Sequence, residues 1–320
     1  MDTQATRAQL IRRQHRSVGY IRKQLSANRY LYALFALPFL YYLTFHYLPI
    51  YGVLIAFKRI VVFRGLGEIM NAPWIGLKYF KQYLSDPYFW KLARNTVLIR
   101  LYGIFWGFPS PIILALLLNE LRNRKFKRII QSITYLPHFI SLVVICGMLV
   151  NFLSSEGLIN RFIGIFGFET MNFMARPEWF RTIYVGSDIW QHVGFGSIIY
   201  LAALTNIDTK LYEAAAIDGA SRWRQLVHVT LPGLAPTITI LFILRLGRIM
   251  EVGYQKIILL YNGATYETAD VISTYVYRRG LIQSDFAYAT AVGLFASLIG
   301  LVFVYSANRL ARGVGETSLW

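Results

Sequence analysis

Acidic side chains are scarce: 16 Asp and Glu stand against 33 Lys and Arg, a net charge of +17 on 320 residues. Charge of either sign is itself thin, at 15% of the chain, whereas an ordinary soluble domain carries about 25%. With 56% hydrophobic residues, this places the chain among membrane proteins before any segment is read. Cysteine is nearly absent. The single Cys146 lies inside an apolar run, which excludes a disulfide framework and a zinc cluster. The five histidines (His15, His46, His138, His192 and His228) show no pair at metal-ligand spacing, so no metal site is expected. No Gly-x4-Gly-Lys-[Ser/Thr] phosphate loop occurs, so the chain is not expected to hydrolyse ATP itself. Candidate acids outside the apolar runs, such as Asp86, Glu156, Asp188 and Asp270, are dispersed. They offer no convergent pair for a membrane enzyme, and no catalytic residue is assigned.

What is abundant is long charge-free sequence. A helix needs about 20 residues to cross the hydrocarbon layer. Segments 30–57, 101–119, 129–155, 189–207 and 286–308 contain no Asp, Glu, Lys or Arg. A sixth apolar stretch, 234–260, is interrupted by Arg245, Arg248, Glu251 and Lys256. The expected fold is therefore all-α: a polytopic membrane bundle of six transmembrane helices over residues 30–310, with a basic segment 1–29 and a tail 311–320 on the same side.

Orientation follows from the basic residues. The short 119–131 loop holds Arg122, Arg124, Lys125, Lys127 and Arg128, and short loops rich in Lys and Arg stay cytoplasmic. Both termini and segment 209–232 then also lie in the cytoplasm. The basic residues of 1–29 are read as inside retention plus attraction to anionic membrane lipid, not as a nucleic-acid site. The apolar run that follows is too long, and too free of a small-residue cleavage site, for a cleavable signal peptide.

Residues 211–232 read LYEAAAIDGASRWRQLVHVTLP. Good helix formers fill 211–217, and Leu211, Ala214, Ala215 and Asp218 share a face of mostly small side chains that another protein surface could approach closely. Gly219 is placed to end that helix, and Pro232 limits any helix running through it. Glu213-Ala214-Ala215, then Gly219, Val229 and Leu231-Pro232 resemble the EAA loop of type I ABC importer permeases, with Val229 where that pattern prefers Ile. The resemblance implies a cytoplasmic coupling helix that docks on an ATPase through Glu213, Ala214, Ala215, Gly219, Leu231 and Pro232. It further implies a second, related but non-identical permease subunit, two ATP-binding cassette subunits holding ATP and Mg, and an extracytoplasmic solute-binding protein. The setting would be the bacterial cytoplasmic (inner) membrane, with no cofactor on this chain.

Three further stretches carry the resemblance toward a carbohydrate and polysaccharide branch of that family: Ile75 to Phe80 with Ser85 to Trp90 and Asn95-Thr96, Tyr266 to Arg278, and Thr317-Ser318-Leu319-Trp320. Permeases for acidic oligosaccharides such as alginate are the comparison it suggests. The aromatic segment 75–90 also suits a helix at headgroup level, which is compatible with that reading.

In the interrupted sixth stretch, Arg245 and Arg248 fall about 15–20 Å from the start of the span, near the bilayer midplane. An arginine there costs about 2.5–3.5 kcal/mol and must face the bundle interior or a wet cavity. Glu251, three residues on, can pair with Arg248 on one helical face. Such a pair either locks helix packing or lines a solute pathway with Tyr254 and Lys256. Arg245 and Lys256 have no acidic partner on that helix, which favours an acidic oligosaccharide. Asp188, Trp190 and His192 either line the same path or anchor a helix end. An ion-coupled carrier, the alternative transport class, would need buried acids, and Glu251 alone would supply one.

Overall fold

The computed structural model describes residues 26–60 and 65–313. The basic positions 7–23 and the terminal 317–320 lie outside the described residues. Two compact units divide the chain, one of residues 1–54 with 64–71, the other of 55–63 with 72–320. Among the described residues the regular structure is helical, apart from one isolated bridge between Lys58 and Trp74.

The first unit holds all but the last three residues of helix α1 (Arg29–Phe57), which is α-helical to Tyr42, a π turn over Leu43–Tyr47, and 3-10 from Leu48. Pro49 lacks the N–H that would continue the ladder, and the wider turn falls just before it. No residue of 29–47 is buried, and its apolar side chains project on all sides. A helix hydrophobic all round requires lipid or another chain as its solvent.

In the second unit, α2 (Phe89–Phe105) leads through a short break to α3 (Pro109–Glu120). Asn123 caps α4 (Arg124–Tyr135), accepting from the Lys125 and Phe126 amides, and Ser141 caps α5 (Leu142–Leu153). The longest element is α6 (Pro177–Thr205), started by a proline at its first turn, where the missing donor costs nothing. Then come α7 (Thr209–Ile217), α8 (Leu231–Gly247), α9 (Tyr254–Leu260), α10 (Ile272–Tyr277) and α11 (Phe286–Gly313).

α6 is the central post. Its buried residues Tyr184, Ser187, Gln191, Gly194, Ser197 and Tyr200 recur every three or four positions, one continuous helical face. Gly194 lets α4 approach so closely that any side chain there would strike the Thr134 backbone. Toward one end of α6, Phe180, Tyr184 and Val185 pack with Ile99, Cys146 and Ile257; toward the other, Tyr200 and Leu204 pack with Ile112, Ala115 and Leu234.

Among the described residues, five helical stretches are both long and apolar enough to cross a membrane: Arg29–Phe57, Phe89–Glu120, Leu142–Ile165, Arg222–Gly247 and Phe286–Arg312. α6 is long enough at 29 residues, but Asp188, Gln191 and His192 dilute its apolar run. One expectation is corrected: the stretch 234–260 is not one helix. α8 stops at Gly247, where Gly300 of α11 comes so close that a Cβ on it would lie 2.7 Å from the Gly247 carbonyl oxygen. Residues 248–253 form turns before α9 begins. Arg248 and Glu251 therefore share no helical face; both are exposed, and no ion pair joins them among the described residues.

Candidate functional site

The loop 209–232 is built to present a short helix rigidly. Asp208 caps α7 through the Lys210 amide at 3.0 Å. At the other end the Gly219 amide donates to the Ala216 carbonyl (3.1 Å) and the Ala220 amide to that of Ala215 (2.9 Å), the paired bonds of a Schellman stop. That stop needs a left-handed residue, and Gly219 sits at φ +73°. Ser221 then caps the turn Arg222–Gln225 through the Arg224 amide, and the chain re-enters the bundle at Leu231-Pro232.

Glu213, Ala214 and Ala216 are exposed on α7 and Ala215 is half-buried. Ile217 (87% exposed) and Trp223 (71%) stand out beside them. These bare apolar side chains lie beside the small, exposed Ala214 and Ala216. The loop is tied back at two points. The Tyr212 hydroxyl is 3.0 Å from the Thr230 hydroxyl, just before α8, and Arg222 Nη1 is 2.8 Å from Glu120 Oε2 at the end of α3. These contacts join the loop to α8 and to α3.

Deeper in the bundle a cavity of about 170 Å³ opens between α2, α6 and the end of α8. Arg100, Arg245, Tyr184 and Asp188 line it. Gly103 and Gly107 make room: a Cβ on Gly107 would meet Arg245 Nη2 at 2.9 Å. Arg245 donates through Nη2 to the Gly103 carbonyl at 2.7 Å. Arg100 Nε is buried with no hydrogen-bond partner among the described residues. A buried unpaired guanidinium donor carries a desolvation penalty that a bound acceptor would relieve.

Lys256 is buried, 4% exposed, and its acidic partner comes from α6 and not from its own helix: Nζ lies 3.7 Å from Asp188 Oδ1 and donates to the Tyr184 carbonyl at 3.2 Å. His192 Nδ1 approaches the same carboxylate at 3.4 Å. The positive excess survives this pairing because Arg100 joins Arg245 on the wall. Arg248, Glu251 and Tyr254 are not in the cavity lining; Tyr254 stacks on Tyr277 at 5.4 Å. Arg100 is the residue that sequence reasoning misses. It stands immediately before the charge-free 101–119 run, and so reads as the edge of a span although it belongs to its interior wall.

A helical bundle with several membrane-length apolar helices, a rigid exposed loop of EAA pattern and a polar cavity inside defines an import permease, a transport subunit and not an enzyme. Residues 107–316 match the family of binding-protein-dependent transport system inner membrane components, and the chain belongs to that family. It is 42% identical over 298 residues to the polygalacturonan/rhamnogalacturonan transport system permease protein YteP of Bacillus subtilis, covering 93% of this chain and 92% of that one. The arabinooligosaccharides transport system permease protein AraP of the same organism is 30% identical, with 84% of each chain covered. Among solved structures, a bacterial ABC transporter involved in import of the acidic polysaccharide alginate superposes with a TM-score of 0.84 at 41% identity. That likeness covers 92% of this chain and 99% of the other. The same holds for a bacterial alginate ABC transporter in complex with alginate pentasaccharide-bound periplasmic protein, with a TM-score of 0.84.

Proposed function

We propose that this chain forms half of the translocation pathway for an acidic oligosaccharide in an ATP-driven importer of the bacterial cytoplasmic membrane. Its partners are a related, non-identical permease, two ATP-binding cassette subunits that hold ATP and Mg, and an extracytoplasmic solute-binding protein. The observation that carries the substrate class is the convergence of Arg100 and Arg245, from separate helices, on one cavity whose carboxylate, Asp188, is already engaged by Lys256 and His192. Arginine's planar fork suits a sugar carboxylate, and in low dielectric such a pair is worth more than in water. Relatives named for polygalacturonan and alginate transport, both polymers of sugar acids, support the same choice.

In this account α6 is the sixth span, both termini are cytoplasmic, and α1 packs on the partner permease. Closure of the ATPase pair moves α7. The Tyr212–Thr230 and Arg222–Glu120 contacts carry that motion to α8, which bears Arg245, and to α3, which continues from α2 with Arg100 and Gly103. The chain itself breaks no covalent bond. Purification of the complex in mild detergent, followed by mass spectrometry of its subunits, is expected to return an ATP-binding cassette protein and a second permease in fixed ratio. A folded, transport-competent preparation of this chain alone would point instead to an ion-coupled carrier.

A further inference from the structure

A second, larger cavity of about 970 Å³ lies between the segment 82–91 and the segment 266–283, away from the α2–α6–α8 site. Both segments lie outside the membrane in the topology proposed above. Its acidic residues are already satisfied. Asp270, 5% exposed, accepts both arms of Arg278 (2.6 and 2.8 Å) and the Thr274 hydroxyl (2.6 Å). Asp86 accepts the Tyr275 hydroxyl and the Tyr88 amide, each at 2.8 Å. Lys91 is held by Glu267 at 2.8 Å.

Arg279 is different. Its hydrogen-bond partners are neutral, the Tyr275 hydroxyl at 3.2 Å and Gln283 Oε1 at 3.1 Å, and they engage two of its five N–H groups. The guanidinium is held in place over the Tyr275 and Tyr288 rings, 5.6 and 5.2 Å from their centroids. A fixed arginine with free donors, facing a large cavity, is ready to bind a carboxylate. Two partly exposed aromatic rings stand on the same lining: Tyr88, and Tyr266, over one face of which the Arg278 guanidinium lies 5.8 Å from the centroid. The volume is at the upper end of the range of small-molecule sites, about 300–1,000 Å³, and large for a single sugar ring.

We propose that this cavity is an outer saccharide subsite, in which Arg279 binds a uronate carboxylate of an acidic oligosaccharide and Tyr88 and Tyr266 take its rings, ahead of the inner site at Arg100 and Arg245. It rests on the acidic-oligosaccharide reading and on the outward placement of 82–91 and 266–283. The test uses the intact importer in lipid nanodiscs without binding protein, titrated with a galacturonic acid pentasaccharide and, separately, with a neutral galactose pentasaccharide. Arg279→Gln is expected to weaken the acidic ligand about tenfold, the scale of one charge-assisted hydrogen bond. Tyr88→Ala, which leaves the Arg279 cluster intact, is expected to weaken both ligands. Affinity for the binding protein should be unchanged in each variant. Unchanged saccharide affinity in both variants overturns the subsite, as does loss of binding-protein affinity alone, which would make the cavity a protein-docking surface. The two readings fail differently. A wild-type complex with no preference for the acidic pentasaccharide sinks the substrate class itself, whereas a preference that survives Arg279→Gln removes only the outer site.

Discussion

Gly219→Val is expected to abolish ATP-driven transport and to release the ATPase subunits while the membrane bundle stays folded. The position sits at φ +73°, where a β-branched side chain is strained by about 1–3 kcal/mol. Relief of that strain would break the two bonds, Gly219 to Ala216 and Ala220 to Ala215, that stop α7 and aim it. A nine-residue helix has little stability of its own, so its orientation depends on these end contacts. The open space around Gly219 excludes a clash with neighbouring segments, since a Cβ there meets nothing within 4 Å, and leaves the local backbone strain as the cause. Asparagine tolerates the left-handed region, so Gly219→Asn should keep most of the activity that Gly219→Val loses. Quantifying the co-purified ATPase and the uptake rate for both variants checks this. A full complement of ATPase and normal uptake with valine would mean that α7 is not the docking element.

The second large effect is expected at the inner cavity. Arg245→Gln should lower acidic-oligosaccharide-stimulated ATPase activity by about 10–100-fold, the scale of removing one charge-assisted hydrogen bond from a desolvated site. The substitution strands little else, because the Gly103 carbonyl also accepts the Gly107 amide at 3.0 Å. Arg100→Gln should act in the same direction. The double variant should lose less than the sum of the two free-energy changes, since both groups would hold one ligand. Arg248→Gln made together with Glu251→Gln is the internal control. Both residues lie in the exposed turn after α8, and their replacement should leave substrate stimulation within about twofold, as for surface changes in general. Equal activity of wild type, Arg245→Gln and Arg100→Gln on an acidic substrate, with normal assembly, would reduce the two arginines to helix-packing residues.

The parts legible in sequence are those encoded locally. The EAA-like spacing from Glu213 to Pro232 specifies a helix, a glycine stop and a return to the bundle, and each step has a backbone signature in the fold. Charge-free runs locate apolar helices because hydropathy over about 20 residues needs no tertiary information. What escapes depends on contacts between distant segments. The end of α8 is set by the approach of Gly300 on α11 to Gly247, which hydropathy along 234–260 cannot reveal. Lys256 looks unpaired in sequence because its carboxylate, Asp188, comes from α6. Arg100 reads as a span boundary because a one-dimensional charge count has no means of telling a wall from an edge. α6 is less apolar than the other long helices because of the same polar residues, Asp188, Gln191 and His192, that equip it to sit at the centre of a pathway.

Uptake into proteoliposomes containing the complete importer, its solute-binding protein outside and ATP within, tests the central claim most directly. An acidic oligosaccharide and a neutral one of equal length should be presented in competition. ATP-dependent accumulation of the acidic sugar, little inhibited by the neutral one and lost with Arg245→Gln, is the predicted result. Accumulation that proceeds without ATP, or that favours the neutral sugar, would contradict the account.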